Sequence, residues 1–410
     1  MFLYQNSQYK HNNLIISFIN ISYEGKLMKY RKLGNTGIEV SEIAFGAEFL
    51  VERPYEDTEV LIKACEENGI NFVDCWMSEP DVRSHLGRAI KPNRENWVIQ
   101  GHIGATWQNN QYVRTREMDK VIPAFEDFME RFQIDTLDFG MIHYVDQLDD
   151  YNEIMNGPFI EYVRTLKEEG TIAHIGLSTH NLDIALLAAQ NPEIELLMFS
   201  INPAFDMFGP VDDVMDYRKE DAYDSEDLSS INPQRAELYE SCQNNGTALT
   251  VMKGFAGGNL LSDETSPFGV ALTPVQCIYY ALEQKGVSSI FVGVKTVDEL
   301  MESLKYCDAS ESEKNYKDVL KNAPKHSFKG QCTYCGHCSP CTSEIDIAMV
   351  IKLFDLAKYH DKVPESIKEH YNDLKFNATD CIACGDCEER CPFNVAIVDV
   401  MLDVQDLFDL

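Results

Sequence analysis

Eight of the 13 cysteines lie close together near the C-terminal end of the 410-residue sequence. The first group has the spacing C-x-x-C-x-x-C-x-x-C, and the second has C-x-x-C-x-x-C-x-x-x-C-P. Three cysteines at positions i, i+3 and i+6 can ligate three corners of an iron–sulfur cubane, and a fourth can reach a second cluster. The spacing therefore predicts two [4Fe–4S] clusters. The residues are Cys332, Cys335, Cys338 and Cys341, then Cys381, Cys384, Cys387 and Cys391.

In two-cluster ferredoxins, the fourth cysteine of each group ligates the other group's cluster. The expected ligand sets are therefore Cys332, Cys335 and Cys338 with Cys391, and Cys381, Cys384 and Cys387 with Cys341. Structural zinc is the alternative, because zinc sites also use paired C-x-x-C units. Zinc gives no reason for three consecutive C-x-x-C steps, so iron–sulfur clusters are favoured. Thr342 stands where a proline is usual after the fourth cysteine of such a group.

The composition narrows the class of protein. The formal net charge of -32 disfavours binding to nucleic acid or to an anionic membrane. The other five cysteines are scattered, unlike the even pattern of a small disulfide-rich secreted domain. We therefore expect a reduced, cytoplasmic protein without nucleic-acid or membrane partners.

The N-terminal residues 1–27 lack the regular pattern of the rest of the chain. Their apolar run, NLIISFIN, is too short to span a bilayer, and it lacks the flanks of a signal peptide. A well-patterned segment begins at Met28. We expect residues 1–27 to be an unstructured extension or the product of a misplaced start.

From Tyr30 onward, short apolar runs alternate with amphipathic helical patterns, after an opening hairpin around Gly34 to Gly37. Strands alternating with helices over roughly 280 residues are typical of an α/β fold, the (β/α)8 TIM barrel, which we assign to residues 28–308. Catalytic groups in that fold lie at the carboxyl ends of the strands. The expected strands are Ile43–Ala47, Asn71–Cys75, Trp97–Ile103, Leu137–Tyr144, Ile172–Ser178, Leu196–Ile201, Ala248–Lys253 and Ser289–Val294.

One polar segment interrupts the alternation of strands and helices, and a second follows the barrel. The connection from Asp206 to Pro233 is long and acidic, and it is either a solvated insertion or a lid over the barrel mouth. Residues 309–330 are expected to be a linker. Residues 331–410 then form a small, α-rich ferredoxin-type domain that carries the two clusters.

Residues 28–306 resemble the aldo/keto reductases, and residues 28–410 resemble their bacterial subgroup with a C-terminal ferredoxin-type domain. The matching segments are KYRKLGNTGIEVSEIAFG, NFVDC, HLGRAI, DTLDFGMIHYV, IAHIGLSTHN, LTVMKGFAGGNL and SIFVGVKTVDELMES. The resemblance implies a carbonyl reductase that uses a nicotinamide and a tetrad of Asp, Tyr, Lys and His.

Two tetrad positions match the family and two do not. Asp74 and His143 occupy the aspartate and histidine positions. The family's tyrosine lies five residues after its aspartate and seven before a Leu-Gly pair, here Leu86-Gly87, so that position falls on Glu79. The family's lysine ends the third barrel strand, and that position falls on His102. A carboxylic acid with a raised pKa can donate a proton, so Glu79 is a candidate for the missing tyrosine. An imidazolium at His102 could stabilise an oxyanion. The alternative is that ordinary carbonyl chemistry has been lost.

The resemblance also implies a pocket for NADP(H) or NAD(H). Its expected members are Ser178, Lys253, Gly257, Gly258, Gly293 and Lys295. The family's frequent proline before Gly293 is replaced by Val292. A flavin is a further alternative, because a barrel mouth can bind a flavin phosphate without an obvious motif.

These residues are compatible with three functions. The first is an iron–sulfur oxidoreductase that relays electrons between an external carrier and a small molecule or cofactor at the barrel mouth. An iron–sulfur cluster passes one electron at a time, whereas a nicotinamide transfers a hydride, which carries two electrons. The predicted C-terminal domain and the predicted barrel pocket therefore differ in the number of electrons that each transfers in one step. The second is an NAD(P)H-dependent carbonyl reductase with a modified tetrad and structural clusters. The third is a non-enzymatic electron carrier.

Overall fold

A computed structural model describes residues 28–207, 231–320, 332, 334, 336–358, 360, 362–391, 393 and 395–408. The predicted extension at residues 1–27 lies outside the described residues. Most of the long acidic connection and the second half of the predicted linker also lie outside them.

Twelve strands are present in the described residues. They are β1 (Tyr30–Lys32), β2 (Glu39–Ser41), β3 (Ile43–Gly46), β4 (Phe72–Cys75), β5 (Val98–Ile103), β6 (Ala105–Gln108), β7 (Gln111–Arg114), β8 (Leu137–Ile142), β9 (Ile172–Thr179), β10 (Leu196–Ser200), β11 (Ala248–Met252) and β12 (Val287–Gly293). Eight of them pair in parallel as a closed barrel in the order β3, β4, β5, β8, β9, β10, β11, β12. The predicted (β/α)8 barrel is confirmed, and each barrel strand overlaps a predicted one.

Helices surround the barrel, and further helices form the C-terminal part of the chain. They are α1 (Tyr55–Glu67), α2 (Pro80–Ile90), α3 (Met118–Phe132), α4 (Leu148–Asn156), α5 (Pro158–Glu168), α6 (Leu182–Gln190), α7 (Pro203–Met207), α8 (Pro233–Asn245), α9 (Pro274–Glu283), α10 (Val297–Leu304), α11 (Glu311–Lys314), α12 (Tyr316–Leu320), α13 (Ile347–Ala357), α14 (Glu365–Asn372), α15 (Asp386–Glu389) and α16 (Ile397–Leu407). Over the described ranges, no helix is both long and apolar enough to cross a membrane.

The helix α3 shows how the sequence directs this packing. Val121, Phe125, Phe128 and Phe132 recur every three or four residues and are buried on one face of the helix. The helix ends at Gln133, whose backbone is left-handed with φ of 56°. Spacing of this kind places each helix against the barrel and leaves the strand ends to form the mouth.

A short antiparallel hairpin, β6–β7, comes after β5 at the barrel mouth and was not predicted. Its turn consists of Asn109 and Asn110, with φ of 52° and 61°. Two successive left-handed residues are typical of the type I′ turn, which matches the twist of a two-residue hairpin. The hairpin adds side chains to the mouth that an uninterrupted βα unit would not supply.

The C-terminal helices form a second, smaller core. Buried side chains of α13 and α16, including Val350, Ile351, Met401 and Val404, pack together in it. Phe393 packs against both this core and the barrel core. The C-terminal domain is therefore in contact with the barrel. Residues 311–320, expected to be part of a linker, form α11 and α12 and lie against α9.

Candidate functional site

Three of the four residues predicted for catalysis meet at the barrel mouth. Asp74 lies in β4, His102 in β5, and His143 directly after β8. Nε2 of His102 is 2.9 Å from Oδ1 of Asp74, and Nδ1 of His102 is 2.8 Å from Nδ1 of His143. The pairing of β4 with β5 and of β5 with β8 places these side chains next to one another. All three are buried.

The contacts continue to Tyr112, a residue that sequence reasoning missed. Its hydroxyl oxygen is 2.7 Å from Nε2 of His143. Trp76 packs edge-on against the Tyr112 ring with centroids 5.3 Å apart, and it stacks on His143 at 5.9 Å. The signal that could have identified Tyr112 is the Asn109-Asn110 pair within ATWQNNQYVR, because such a pair between two short runs indicates a hairpin.

The hydrogen-bond pattern assigns a tautomer to each imidazole. Oδ1 of Asp74 accepts hydrogen bonds from Nε2 of Gln100 at 2.7 Å and from Nε2–H of His102 at 2.9 Å. Nδ1 of His102 then accepts from Nδ1–H of His143. Nε2 of His143 in turn accepts from the hydroxyl of Tyr112. We call Asp74, His102, His143 and Tyr112 the four-residue network.

Burial keeps His143 and Tyr112, two members of the four-residue network, uncharged at neutral pH. Burial, reinforced by His102 and Arg116, lowers the pKa of His143 well below its usual value. Burial likewise raises the pKa of Tyr112, against the opposing effect of Arg114. At neutral pH a neutral imidazole therefore accepts a hydrogen bond from a protonated phenol.

Glu79, the fourth residue predicted for catalysis, is not brought to the network. It is the N-cap residue of α2, and its carboxylate accepts a hydrogen bond from the backbone N–H of Val82 at 2.8 Å. Burial raises the pKa of Glu79. Within the described structure, Glu79 does not line the mouth cavity. Its role as a proton donor stays a prediction.

A cavity of about 410 Å³ lies between the barrel mouth and the C-terminal domain. The four-residue network borders it from the barrel side. Gly336, His337, Ser339, Pro340 and Arg390 border it from the other side. Arg390 also donates to the carbonyl oxygens of Cys338 and Pro340 at 2.9 and 2.8 Å, which fixes the loop of the first cysteine group. This loop therefore lies across the cavity from the four-residue network.

The residues predicted to bind a nicotinamide divide into two groups. Ser178, Lys253 and Gly293 line the cavity, whereas Gly257, Gly258 and Lys295 lie outside its lining in the described structure. The ammonium of Lys295 lies over the Phe49 ring at 5.1 Å, and Lys352 of α13 lies over the same ring at 5.5 Å. The C-terminal domain thus lies beside Lys295, one of the residues expected to bind the nicotinamide cofactor. Nicotinamide binding stays a prediction.

Four cysteines line a second, smaller cavity inside the C-terminal domain. They are Cys341, Cys381, Cys384 and Cys387. This is one of the two predicted ligand sets, and it combines three cysteines of the second group with the last of the first. All four are free thiols. Burial raises the pKa of Cys387 to about 11, with contributions from Cys341 and Cys384. These residues fit a [4Fe–4S] cluster, because bound iron would stabilise thiolates that are otherwise close together in an apolar site.

The other predicted set is described only in part. Cys335 lies outside the described residues. Cys338 and Cys391 are buried in the core of the C-terminal domain, and Cys332 packs against it. The three described cysteines of this set therefore belong to the same core as the cysteines of the other set, and the second cluster stays a prediction.

Comparisons with known proteins agree with this architecture. The profile of the aldo/keto reductase family matches residues 42–273, more than half of the sequence, and a 4Fe-4S binding domain profile matches residues 374–396. The aldo-keto reductase YhdN of Bacillus subtilis is 26% identical over 165 residues, which are 38% of this chain and 48% of that protein. The match thus spans about half the length of YhdN. The uncharacterized oxidoreductase YqkF of the same organism is 22% identical over 69% of this chain and 92% of its own length.

Solved structures show the same fold. The holo form of an aldo-keto reductase from Bacillus halodurans superposes with a TM-score of 0.56 at 20% identity, covering 72% of this chain and 96% of that one. The second cysteine group falls within the matched 4Fe-4S profile. The chain belongs to the aldo/keto reductase family and carries a C-terminal 4Fe-4S binding domain.

Proposed function

We propose that the protein is an iron–sulfur oxidoreductase in which a small molecule reacts in the mouth cavity. Two [4Fe–4S] clusters, with the two ligand sets given above, would relay electrons between an external electron carrier and the substrate or a cofactor in that cavity. One observation carries this proposal: the four-residue network and the loop of the first cysteine group border the same cavity. When bound, a [4Fe–4S] cluster supplies one electron at a time.

The protein's own residues supply the protons. In the resting network, the Tyr112 hydroxyl donates to Nε2 of His143, so its proton is engaged in that hydrogen bond. When His102 holds a second proton beside the Asp74 carboxylate, its Nδ1–H must donate to Nδ1 of His143. His143 then carries its proton on Nε2 and donates to Tyr112. The hydroxyl proton of Tyr112 is thereby turned toward the cavity.

Proton transfer to a substrate oxygen returns the network to its resting state. Tyr112 gives up its hydroxyl proton and takes one from Nε2 of His143. His143 takes a proton at Nδ1 from His102, which becomes neutral again. The phenol is never left ionised, in keeping with its raised pKa. This arrangement does without the family's lysine, because His102 can both donate and accept.

Substitution of Tyr112 by phenylalanine tests the proposal. Reduced methyl viologen serves as a one-electron donor to cluster-loaded protein, and a panel of small carbonyl compounds serves as acceptors. We expect Tyr112→Phe to lower turnover by about 100-fold or more, because a positioned proton donor contributes at least this factor. The rate at which viologen reduces the clusters should not change. Tyr55→Phe, which removes an exposed hydroxyl bonded to Glu59, is the matched control. Unchanged turnover in Tyr112→Phe would overturn the role of Tyr112.

A nicotinamide-dependent carbonyl reductase is the second candidate. Tyr112 favours it, because this residue places a phenol 2.7 Å from His143 at the mouth, where the family uses a tyrosine. Oxidation of NADPH by the same carbonyl panel would support this candidate if removing the clusters left the rate unchanged. Loss of turnover together with the clusters supports the iron–sulfur oxidoreductase instead.

A further inference from the structure

A second group of potential ligands lies at the mouth, apart from the four-residue network. Asp146 comes after β8, His180 comes after β9, and His337 belongs to the loop of the first cysteine group. One candidate ligand atom from each residue lies within 4.8 Å of the others. All three residues line the mouth cavity. Two barrel segments and the C-terminal domain thus converge on one point.

The carboxylate of Asp146 is held in a fixed orientation. Its Oδ1 accepts hydrogen bonds from the hydroxyl of Thr179 at 3.0 Å and from the backbone N–H of His180 at 2.7 Å. Its Oδ2 is 3.1 Å from Nδ1 of His180. Outer hydrogen bonds of this kind orient the ligands of metal sites. One carboxylate oxygen is occupied by protein donors, and the other faces the imidazoles.

The ring of Tyr144 supports both imidazoles. Its centroid is 5.3 Å from that of His180 and 4.7 Å from that of His337, with nearly perpendicular planes in both pairs. The backbone of Tyr144 is left-handed with φ of 48°, and its N–H donates to the hydroxyl of Ser178 at 2.8 Å. A residue in this uncommon conformation is maintained by the surrounding structure. The Tyr144 ring is therefore held where it contacts both imidazoles.

The distances suit a small divalent cation. Bonds of about 2.0 to 2.2 Å place tetrahedral ligand atoms roughly 3.4 Å apart. The separation of 3.1 Å between Asp146 and His180 is already close to this value. Since the ligand atoms all lie within 4.8 Å of one another, His337 needs to move by at most about 1.4 Å, which a side-chain rotation can supply.

The protonation states also suit a cation. Burial opposes ionisation of Asp146, but His180 and its hydrogen bonds lower the pKa of Asp146 to about 2. Burial lowers the pKa of His180 despite the neighbouring carboxylate. The side chains of His180 and Asp146 are only 14% and 13% exposed. A poorly solvated carboxylate beside two imidazoles is a donor set that suits borderline divalent metals.

We propose that Asp146, His180 and His337 bind one divalent transition-metal ion, Zn²⁺ or Fe²⁺, at the junction of the barrel and the C-terminal domain. Two imidazoles and one carboxylate leave coordination positions open toward the cavity. Because His337 comes from the cysteine loop, the ion ties this loop to the barrel mouth. The proposal does not depend on the proposed function, since its test measures bound metal and not turnover.

The test uses the full chain with its clusters loaded, incubated anaerobically with Zn²⁺ and freed of excess metal by gel filtration. We expect about one zinc per chain in addition to cluster iron. His337→Phe keeps a ring beside Tyr144 but removes both nitrogens, and Asp146→Asn keeps the shape but removes the charge. Each should reduce bound zinc at least tenfold. The exposed Asp149, three residues beyond Asp146, provides the control Asp149→Asn, which should bind zinc as the wild type does.

Two further measurements keep the result decisive. Iron content must equal that of the wild type in every variant, which separates loss of this site from damage to the cysteine loop. Mössbauer spectra of protein loaded with labelled Fe²⁺ distinguish a high-spin ferrous site from cluster iron and so identify Fe²⁺ as the alternative occupant. The proposal is overturned if wild-type protein retains neither Zn²⁺ nor Fe²⁺, or if both variants retain the metal.

Discussion

Two buried imidazoles are in direct contact at the mouth cavity. His102 and His143 share a hydrogen bond of 2.8 Å, with Asp74 beyond one ring and Tyr112 beyond the other. A lysine at the His102 position could only donate hydrogen bonds, whereas an imidazole donates at one nitrogen and accepts at the other. An imidazole in place of a lysine therefore exchanges a permanent positive charge for a group that can accept a proton at one nitrogen and donate one from the other.

The low pKa of His143 predicts a pH-dependent stability. Burial holds the pKa of His143 well below 6.5 in the folded protein. Below about pH 6.5, the unfolded chain binds a proton that the folded chain excludes, so stability falls as the pH falls. The free energy of unfolding of the His143→Gln variant should therefore fall by about 1 kcal/mol less per pH unit than that of the wild type.

Urea unfolding between about pH 7 and pH 5.5 measures this slope. The exposed His370 supplies the control, and His370→Gln should leave the slope unchanged. Equal slopes for wild type and His143→Gln would show that His143 ionises normally in the folded protein.

Among the elements, the β6–β7 hairpin matters most to the site. It pairs Ala105 with Arg114 and Trp107 with Tyr112, which places the phenol over the strand ends of the barrel. The turn that makes this possible contains two left-handed residues, Asn109 and Asn110. Asparagine tolerates this conformation, whereas a β-branched residue does not.

Substitutions in this turn should separate hairpin geometry from side-chain chemistry. Asn110→Val is expected to cost about 1 to 2 kcal/mol of stability, because φ of 61° is strained for a β-branched residue. It should also lower turnover by displacing Tyr112. Asn110→Gly adopts the same backbone without strain and should retain both stability and activity. Thermal unfolding and the viologen assay measure the two effects. Retained activity in Asn110→Val would show that the hairpin does not position the phenol.

Across the whole molecule, the C-terminal domain closes the barrel mouth. Phe393 packs against both cores, and Arg390 fixes the first cysteine loop over the cavity. The cavity at the barrel mouth thus has a second wall, which the loop of the first cysteine group forms. This arrangement brings the cysteine loop and the four-residue network to one shared cavity.

The cysteine sets predict the metal content of the whole protein. Cys384 is exposed and lines the cavity of one set, so Cys384→Ala removes a ligand without disturbing packing. Iron should fall from about eight to about four atoms per chain, because each cubane holds four. Cys307→Ala, which changes a cysteine outside both groups, should leave iron unchanged. An unchanged iron content in Cys384→Ala would contradict the assigned ligand set.

The sequence by itself determined the barrel, because strand and helix periods and the family segments are local signals. Local spacing also determined the cysteine groups, and family register identified Asp74, His102 and His143. Tertiary structure alone decided which neighbours these residues meet. Glu79 caps a helix, Tyr112 joins the network from a hairpin, and His337 reaches the mouth from the C-terminal domain. Such contacts join residues far apart in the sequence, and the local patterns of a single sequence carry no signal for the distance between them.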